Sequence, residues 1–418
     1  MENLIVVSSY PEKGLVHGIK TVGVASYAKN TLLSLSKAFG EKINITVLAE
    51  KLPKQENLYK EKNITVKRCW QRNSWTSWYQ IYKEIRKQKC KKILFEFEMA
   101  MMGSPAKNIF FPLFLLILKL SGKQVYVVIH QVVLNFEEMS GHLGTKDKSF
   151  KNKLLSIFSK LFFSLAVRLS FRTIVFEQFL KDRLATISPM EKIVVIPHGV
   201  EKDKITTNKG KARKKFGYKD SDFIMAIFGY LAWYKGTDWL AEIVSEKIKT
   251  SPQTNIRLII AGGPNPNHKN KSFYQKYLKN LETIAKKHPE ISITGFVDQK
   301  DITAYYQAAD VMVYPYRTGM SSSGPLAMAF TNHKPFLVSE PLSQLLDTAD
   351  ILNEMRKSEL KKNDLSFSLD EKSFWTKIEN LQNNKQLAKK LSLLGHEITQ
   401  SRSWDNIGLM YKKLLYEN

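Results

Sequence analysis

Val311-Met312-Val313-Tyr314-Pro315-Tyr316-Arg317-Thr318-Gly319-Met320-Ser321-Ser322-Ser323-Gly324 reads as the end of a strand, a loop and the start of a helix. An apolar run with no polar alternation fits a strand covered on both faces, and Pro315 ends it. Gly324–Thr331 then turns helical in pattern. One serine suffices to cap a helix, but this loop supplies three, with two glycines and one arginine. Amides and hydroxyls at a helix start form an anion cradle, and an arginine can add a bidentate phosphate contact. Gly319, Met320, Ser321, Ser322, Ser323, Gly324 and Arg317 are therefore candidate ligand-binding residues.

The same rhythm extends outward in both directions. In the first half, Leu4–Ser8, Ile43–Leu48, Lys92–Phe97, Gln124–Ile129, Thr173–Phe176 and Ile193–Pro197 are predicted strands. Predicted helices over Ile19–Phe39, Ser77–Gln88, Ile109–Leu120 and Lys151–Arg168 separate them. In the second half, strands at Phe223–Tyr230, Ile256–Ala261, Ile291–Phe296, Val311–Tyr314 and Phe336–Val338 alternate with four helices. Strand–helix alternation with nearly continuous apolar strands predicts an α/β fold with two parallel-sheet domains. The polar, lysine-rich stretch Glu201–Lys219 is the predicted hinge.

With 418 residues and 43% hydrophobic content, the chain is globular and larger than one core usually grows. Its two cysteines, Cys69 and Cys90, exclude a disulfide scaffold or Cys-rich metal module and fit a reducing cytoplasm. The net charge of +25 predicts attraction to polyanions without choosing among them. No signal peptide is expected at the start. Ile109–Leu120 is too short to span a bilayer, which takes roughly 20 residues.

Open parallel sheets bind ligands beyond the carboxyl ends of their strands. Gly14, Gly18 and Gly23 follow the first strand. They admit a ligand's close approach or serve as ordinary loop glycines. Their spacing is not G-x-G-x-x-G, so a dehydrogenase is not supported. His130 ends the fourth strand and would face the crevice. Pro197-His198-Gly199-Val200 reads as a mainly structural turn, with Gly199 at an unusual backbone angle. Gly229-Tyr230-Leu231-Ala232-Trp233-Tyr234-Lys235-Gly236 places Lys235 as a phosphate-binding cation between strand and helix.

These pieces, with Ile196–Val200, Leu258–Gly263, Ile293–Val297, Ala308–Pro315 and Gly324–Pro335, resemble the retaining glycosyltransferases of family 4. The resemblance implies the GT-B architecture: two facing Rossmann-like domains and a C-terminal helix that crosses back at Ser403-Trp404-Asp405. It implies an acceptor-binding domain at 1–203, a nucleotide-sugar-binding domain at 204–385, and helices at 386–418 packing on the first domain. It implies a hexosyltransferase moving sugar from a nucleoside-diphosphate-sugar to an acceptor hydroxyl, with retention and without metal or other cofactor, in polysaccharide or glycolipid synthesis. Gly229, Tyr230, Lys235, Gly263, Arg317 and Gly319–Gly324 would bind the donor. Gly18, Gly23 and His130 would lie on the acceptor side, with His130, Lys235 and Arg317 catalytic. The family's two glutamates fall at Met320 and Met328, and its usual arginine at Tyr230, so Arg317 is the expected replacement cation.

Glu96-Phe97-Glu98 is read as a strand end rather than a metal motif. Segment Lys146–Arg183 carries nine Lys/Arg against three acids, together with apolar residues. It fits a helix lying on anionic lipid, or a core-facing helix with a solvated basic rim. Peripheral placement on the inner face of a membrane, with a carbohydrate or lipid-linked acceptor, is the corresponding expectation. A catalytically impaired binding protein is the alternative. A nucleic-acid-binding protein is a weaker one, because charge alone supports it.

Overall fold

The structure, a computed structural model, describes residues 2–16, 24–40, 42–99, 101–139, 141, 149–202, 205–265, 268 and 270–417. Two sheets organise them. The first contains β1 (Glu2–Val7), β2 (Ile43–Glu50), β3 (Leu58–Glu61), β4 (Ile64–Trp70), β5 (Lys92–Phe97), β6 (Gln124–Ile129), β7 (Arg172–Val175) and β8 (Ile193–Val195). Its order is β3-β4-β2-β1-β5-β6-β7-β8, and only the β3/β4 pair is antiparallel. The second contains β9 (Phe223–Phe228), β10 (Ile256–Ala261), β11 (Ile291–Ile293), β12 (Val311–Tyr314), β13 (Phe336–Ser339) and β14 (Ser366–Phe367). Its order is β11-β10-β9-β12-β13-β14, parallel throughout.

The doubly wound reading is correct for both halves. Strands such as β6 and β12 are buried along their apolar length, which only helices on both faces allow. In the second sheet, chain order reverses between β9 and β12. That switch point brings together the loops after both strands, which carry Lys235 and the serine run.

Three elements differ from expectation. The β3/β4 edge hairpin was not anticipated, because Ile64–Trp70 alternates buried and half-buried residues instead of running continuously apolar. The helix expected from Ile109 starts as a 3-10 turn at Pro105–Phe110 and becomes α-helical at Phe111, with Pro112 in the first turn, where its missing N–H is tolerated. The first long helix is described from Val24 to Ala38. Gly18 and Gly23 lie outside the described residues.

The return to the first domain is shorter than 386–418. Helix Lys385–Ser401 stays with the second domain because its stripe Leu391, Leu394 and Ile398 shares that core with Ala329 and Phe330. The crossing occurs at Val200, whose N–H donates to Arg402 O (2.8 Å) and which bridges to Ser403. Helix Trp404–Lys412 then buries Ile407 and Tyr411 in the first domain, and the Tyr411 hydroxyl meets that of Tyr27 at 2.8 Å. At the crossing, Arg402 donates to both carboxylate oxygens of Glu177 (3.0 and 3.1 Å) and both of Asp350 (2.6 and 3.0 Å). Arg402 and Glu177 are fully buried, so this fork ties strand β7's end, the second domain and the crossover together.

Candidate functional site

The second-domain half of the site is built from close backbone approaches. Gly229 follows β9 at φ +111°, and a Cβ there would stand 2.7 Å from Lys235 Nζ. Gly236 follows the lysine at φ +68°, where a Cβ would lie 2.0 Å from Pro315 O. The loop after β9 thus lies against the loop after β12 and turns Lys235 inward. The lysine is buried, and among the described residues neither a hydrogen bond nor an ion pair engages its ammonium. Burial pushes its pKa down to about 8.

Lys235 lines a cavity of about 120 Å³ with Tyr234, Thr318, Gly319, Met320, Ser321, Ser322, Ser323 and Gly324. Ser323 caps helix Gly324–Thr331 by accepting from Leu326 N (3.3 Å). Ser321 donates to Ser322 O (3.0 Å). A buried cation, hydroxyls and the first amides of a helix therefore converge on a space of anion size.

Arg317 is not part of this convergence. Its guanidinium donates to Asp238 Oδ1 (2.8 Å) and Oδ2 (3.0 Å) and to Trp233 O (2.5 Å). It also lies over the Trp233 ring, 4.8 Å from the centroid. The expectation that Arg317 replaces the missing clamp cation is corrected: its fork is already filled by a carboxylate and a carbonyl. It fixes the lysine loop from behind, as does its backbone N–H to Tyr234 O (2.7 Å).

A larger cavity of about 560 Å³ lies between the domains, lined among others by Tyr27, His198, Val297, Pro325, Met328 and Trp404. Met328, at one family glutamate position, leaves this wall apolar. Gly263 sits under the Phe296 ring, and Tyr230 edges that ring at 6.0 Å, both aromatics exposed. Gly199 corrects a further expectation: its φ is not positive, and a Cβ would meet the Trp404 ring at 2.4 Å, so room selects glycine there. An open hollow of about 690 Å³ by Lys247 and Trp375 lies at the start of β10, the end of the sheet opposite these loops.

On the first domain, His130 follows β6 as expected, but its Nε2 is engaged by Glu96 Oε2 at 2.8 Å. Glu96 is fully buried and His130 is largely so. Burial drives the Glu96 carboxyl well above the usual range and His130 down to about 4. Among the described residues Glu96 Oε1 has no hydrogen-bond partner. A neutral carboxyl that donates from Oε2 to Nε2 leaves the hydrogen of the neutral imidazole at Nδ1. In that state His130 presents a donor at Nδ1. Sequence reading dismissed Glu96 as a strand end. The signal was an acid at an inward position of an otherwise apolar strand, with a histidine ending the neighbouring strand.

The two halves touch. Val132 N–H donates to Met320 O (2.9 Å), and Arg183 donates to both Val132 O (2.8 Å) and Gly319 O (2.9 Å). A cavity of about 220 Å³ beside this contact is lined by Leu134, Lys160, Arg183, Thr318 and Met320.

Residues 222–353 match the family model of glycosyl transferases group 1. A segment of 134 residues is 27% identical to a D-inositol 3-phosphate glycosyltransferase of Corynebacterium efficiens, covering 32% of this chain and 30% of that protein. The chain spans less than half the length of the curated relatives it matches. The fold is similar to sucrose-phosphate synthase from Thermosynechococcus elongatus (TM-score 0.70, 14% identity, covering 100% of this chain and 99% of that one). It is also similar to Anabaena HepE in complex with UDP-glucose (TM-score 0.65, 14% identity, 100% of both chains). These likenesses give the GT-B fold.

Proposed function

From the match of residues 222–353 to the family model of glycosyl transferases group 1, we propose that this chain moves a sugar from a nucleoside-diphosphate-sugar to an acceptor hydroxyl. The observation that carries this reading is Lys235, a buried cation with no partner among the described residues, in the wall of an anion-sized cavity beside a helix start.

In this reading the diphosphate occupies the 120 Å³ cavity. Lys235 and the amides and hydroxyls of Ser321–Gly324 meet the charge that grows as the leaving group departs. Removing one such donor costs about 2.7–4 kcal/mol of transition-state stabilisation. The nucleoside lies in the interdomain cavity, with Tyr230 and Phe296 as aromatic surface at its edge. The acceptor oxygen forms a bond to the anomeric carbon as the bond from that carbon to the phosphate oxygen breaks. The acceptor's proton passes to the leaving diphosphate. Attack from the face the leaving group vacates would give retention and needs no protein nucleophile. His130 donates from Nδ1 to the sugar or the reacting region. We propose that the reaction is metal-independent, and activity dependent on added manganese would refute that.

The relatives support the donor class: HepE is solved with UDP-glucose, and the E. coli trehalose-6-phosphate structure is bound with UDP-2-fluoro glucose. The acceptor we propose is a carbohydrate or lipid-linked hydroxyl, at the inner face of a membrane. Met320 and Met328 favour a second reading, a donor-binding protein with impaired catalysis, because neither side chain can accept from a sugar or ribose hydroxyl as a carboxylate does.

A thermal-shift panel of UDP-, GDP- and ADP-sugars tests the first reading, because specific binding stabilises the fold by mass action. One donor should raise Tm in the parent and much less in Lys235→Met. No shift with any donor would overturn the assignment. A shift without transfer or donor hydrolysis would select the second reading.

A further inference from the structure

Among the described residues, 24 large apolar side chains are exposed, and 12 of them lie on two short stretches, 105–120 and 150–169. The outward side chains include Leu113 (53% exposed), Leu120 (79%), Phe150 (82%), Leu154 (58%), Ile157 (65%) and Leu161 (58%). Helices Phe111–Leu120 and Phe150–Leu169 pack on each other, with the Phe111 and Phe162 rings 6.3 Å apart, so these residues make one face. A concentration of this kind marks an interaction site rather than ordinary surface.

The charge around the face is predominantly positive, with Glu137 and Glu138 the acids that pack beside helix Phe150–Leu169. Segments 105–136 and 149–176 contain eight Lys/Arg (Lys107, Lys119, Lys123, Lys151, Lys153, Lys160, Arg168, Arg172) and no acid. Among the described residues no helix is long and apolar enough to cross a membrane. An apolar strip with a cationic rim, too short to span, fits the boundary of an anionic bilayer, with the apolar side chains at acyl depth and the ammonium groups among phosphates. A second copy of the chain fits less well, because a twofold contact through this face would set one basic rim against another.

The face is wired to the candidate site. Ser159 Oγ donates to Val133 O (2.5 Å), and Phe136 N–H donates to Ser156 Oγ (2.9 Å), so helix Phe150–Leu169 holds the loop after β6. That loop's Val132 N–H donates to Met320 O in the cradle (2.9 Å). Lys160, on the same helix, lines the 220 Å³ cavity that Thr318 and Met320 also line.

We propose that helices Phe111–Leu120 and Phe150–Leu169 seat the protein on an anionic lipid bilayer and that the acceptor reaches the cradle from that surface, along the cavity between Lys160 and Met320. The acceptor half of this inference rests on the transferase reading; the docking half stands on the face itself.

The test is cosedimentation of the full chain with phosphatidylglycerol-containing vesicles and with pure phosphatidylcholine vesicles, at low and high salt. The parent should pellet with the anionic vesicles at low salt. The Ile157→Glu/Leu161→Glu and Lys151→Glu/Lys153→Glu variants should each lose at least about tenfold in partitioning, with Tm unchanged because the replaced side chains are exposed. A parent that stays in the supernatant, or variants that pellet as the parent does, would overturn the proposal. So would a concentration-dependent dimer that the same substitutions dissolve, since the face would then belong to a second copy. Donor-induced thermal shifts on the same samples separate the two readings. Lost pelleting with an intact shift sinks only docking, whereas absent shifts with intact pelleting sink only the transferase.

Discussion

The guanidinium of Arg317 and the carboxylate of Asp238 face each other through two bonds, 2.8 and 3.0 Å long, and so close the loop that presents Lys235. The pair is partly buried on both sides, so each partner is committed to the other. Asp238→Asn should therefore resemble Arg317→Ala: each loosens the loop, lowers Tm and weakens donor binding moderately. If Asp238→Asn tightened donor binding by releasing a free arginine, the positioning role would be wrong. Isothermal titration with the preferred donor reads the difference.

Lys235 should set the upper pH limit of donor binding. Its folded pKa of about 8 lies below the unfolded value near 10.4. Above about pH 8 the empty protein loses the charge that the diphosphate needs, so affinity should fall. Across the same window the unfolded chain binds more protons than the folded one, so this group's contribution to stability rises with pH, by up to about 1.4 kcal/mol per unit. Affinity and stability thus move oppositely in the parent relative to Lys235→Met. A flat affinity profile from pH 7 to 9.5 would remove the lysine from the site.

Glu96 should act through His130. In Glu96→Gln, the amide N–H₂ can donate to Nε2 and keep hydrogen on Nδ1. Glu96→Leu cannot, and the ring is then free to adopt the other tautomer. Turnover should fall about tenfold or more in Glu96→Leu and in His130→Ala, with Glu96→Gln close to the parent in kcat. Equal loss in the Gln and Leu variants would mean that the carboxyl itself, rather than the tautomer, matters.

His198 should contribute to acid lability. Burial holds it to about pKa 4, against roughly 6.5 unfolded. Between those values the unfolded chain takes up more protons, so stability falls as pH drops from about 6.5 to 4. Replacing His198 with Phe should flatten the decline in Tm over that interval, read by circular dichroism. An unchanged slope would contradict the burial argument.

Arg402→Ala should be far more damaging than any surface charge deletion. It strands Glu177, fully buried, beside a second carboxylate, Asp350. Loss of one partner from a buried pair typically costs about 3–5 kcal/mol. Chemical denaturation showing less than about 1 kcal/mol would mean that water reaches the crossing freely.

Much of this was legible in the chain. The continuous apolar runs of β6 and β12 state that both faces are covered, and the loop around Lys235 announces a close approach by its glycines. Arg317 was misjudged because sequence gives a residue's type but not its competitor: Asp238 lies 79 positions earlier and meets it only through the fold. Glu96 was missed for a related reason, since strands β5 and β6 must pair before acid and imidazole become neighbours. The C-terminal return was placed too early because Lys385–Ser401 has an apolar stripe that suits either domain, and only the folded core assigns it.

An ammonium at Lys235 that has no partner among the described residues is expected to attract small oxyanions in general. Under the transferase reading, the nucleoside diphosphate product would meet that charge as the incoming donor does, so product release is the step expected to pace the cycle. Phosphate or sulfate buffers would occupy the same position and act as competitive inhibitors.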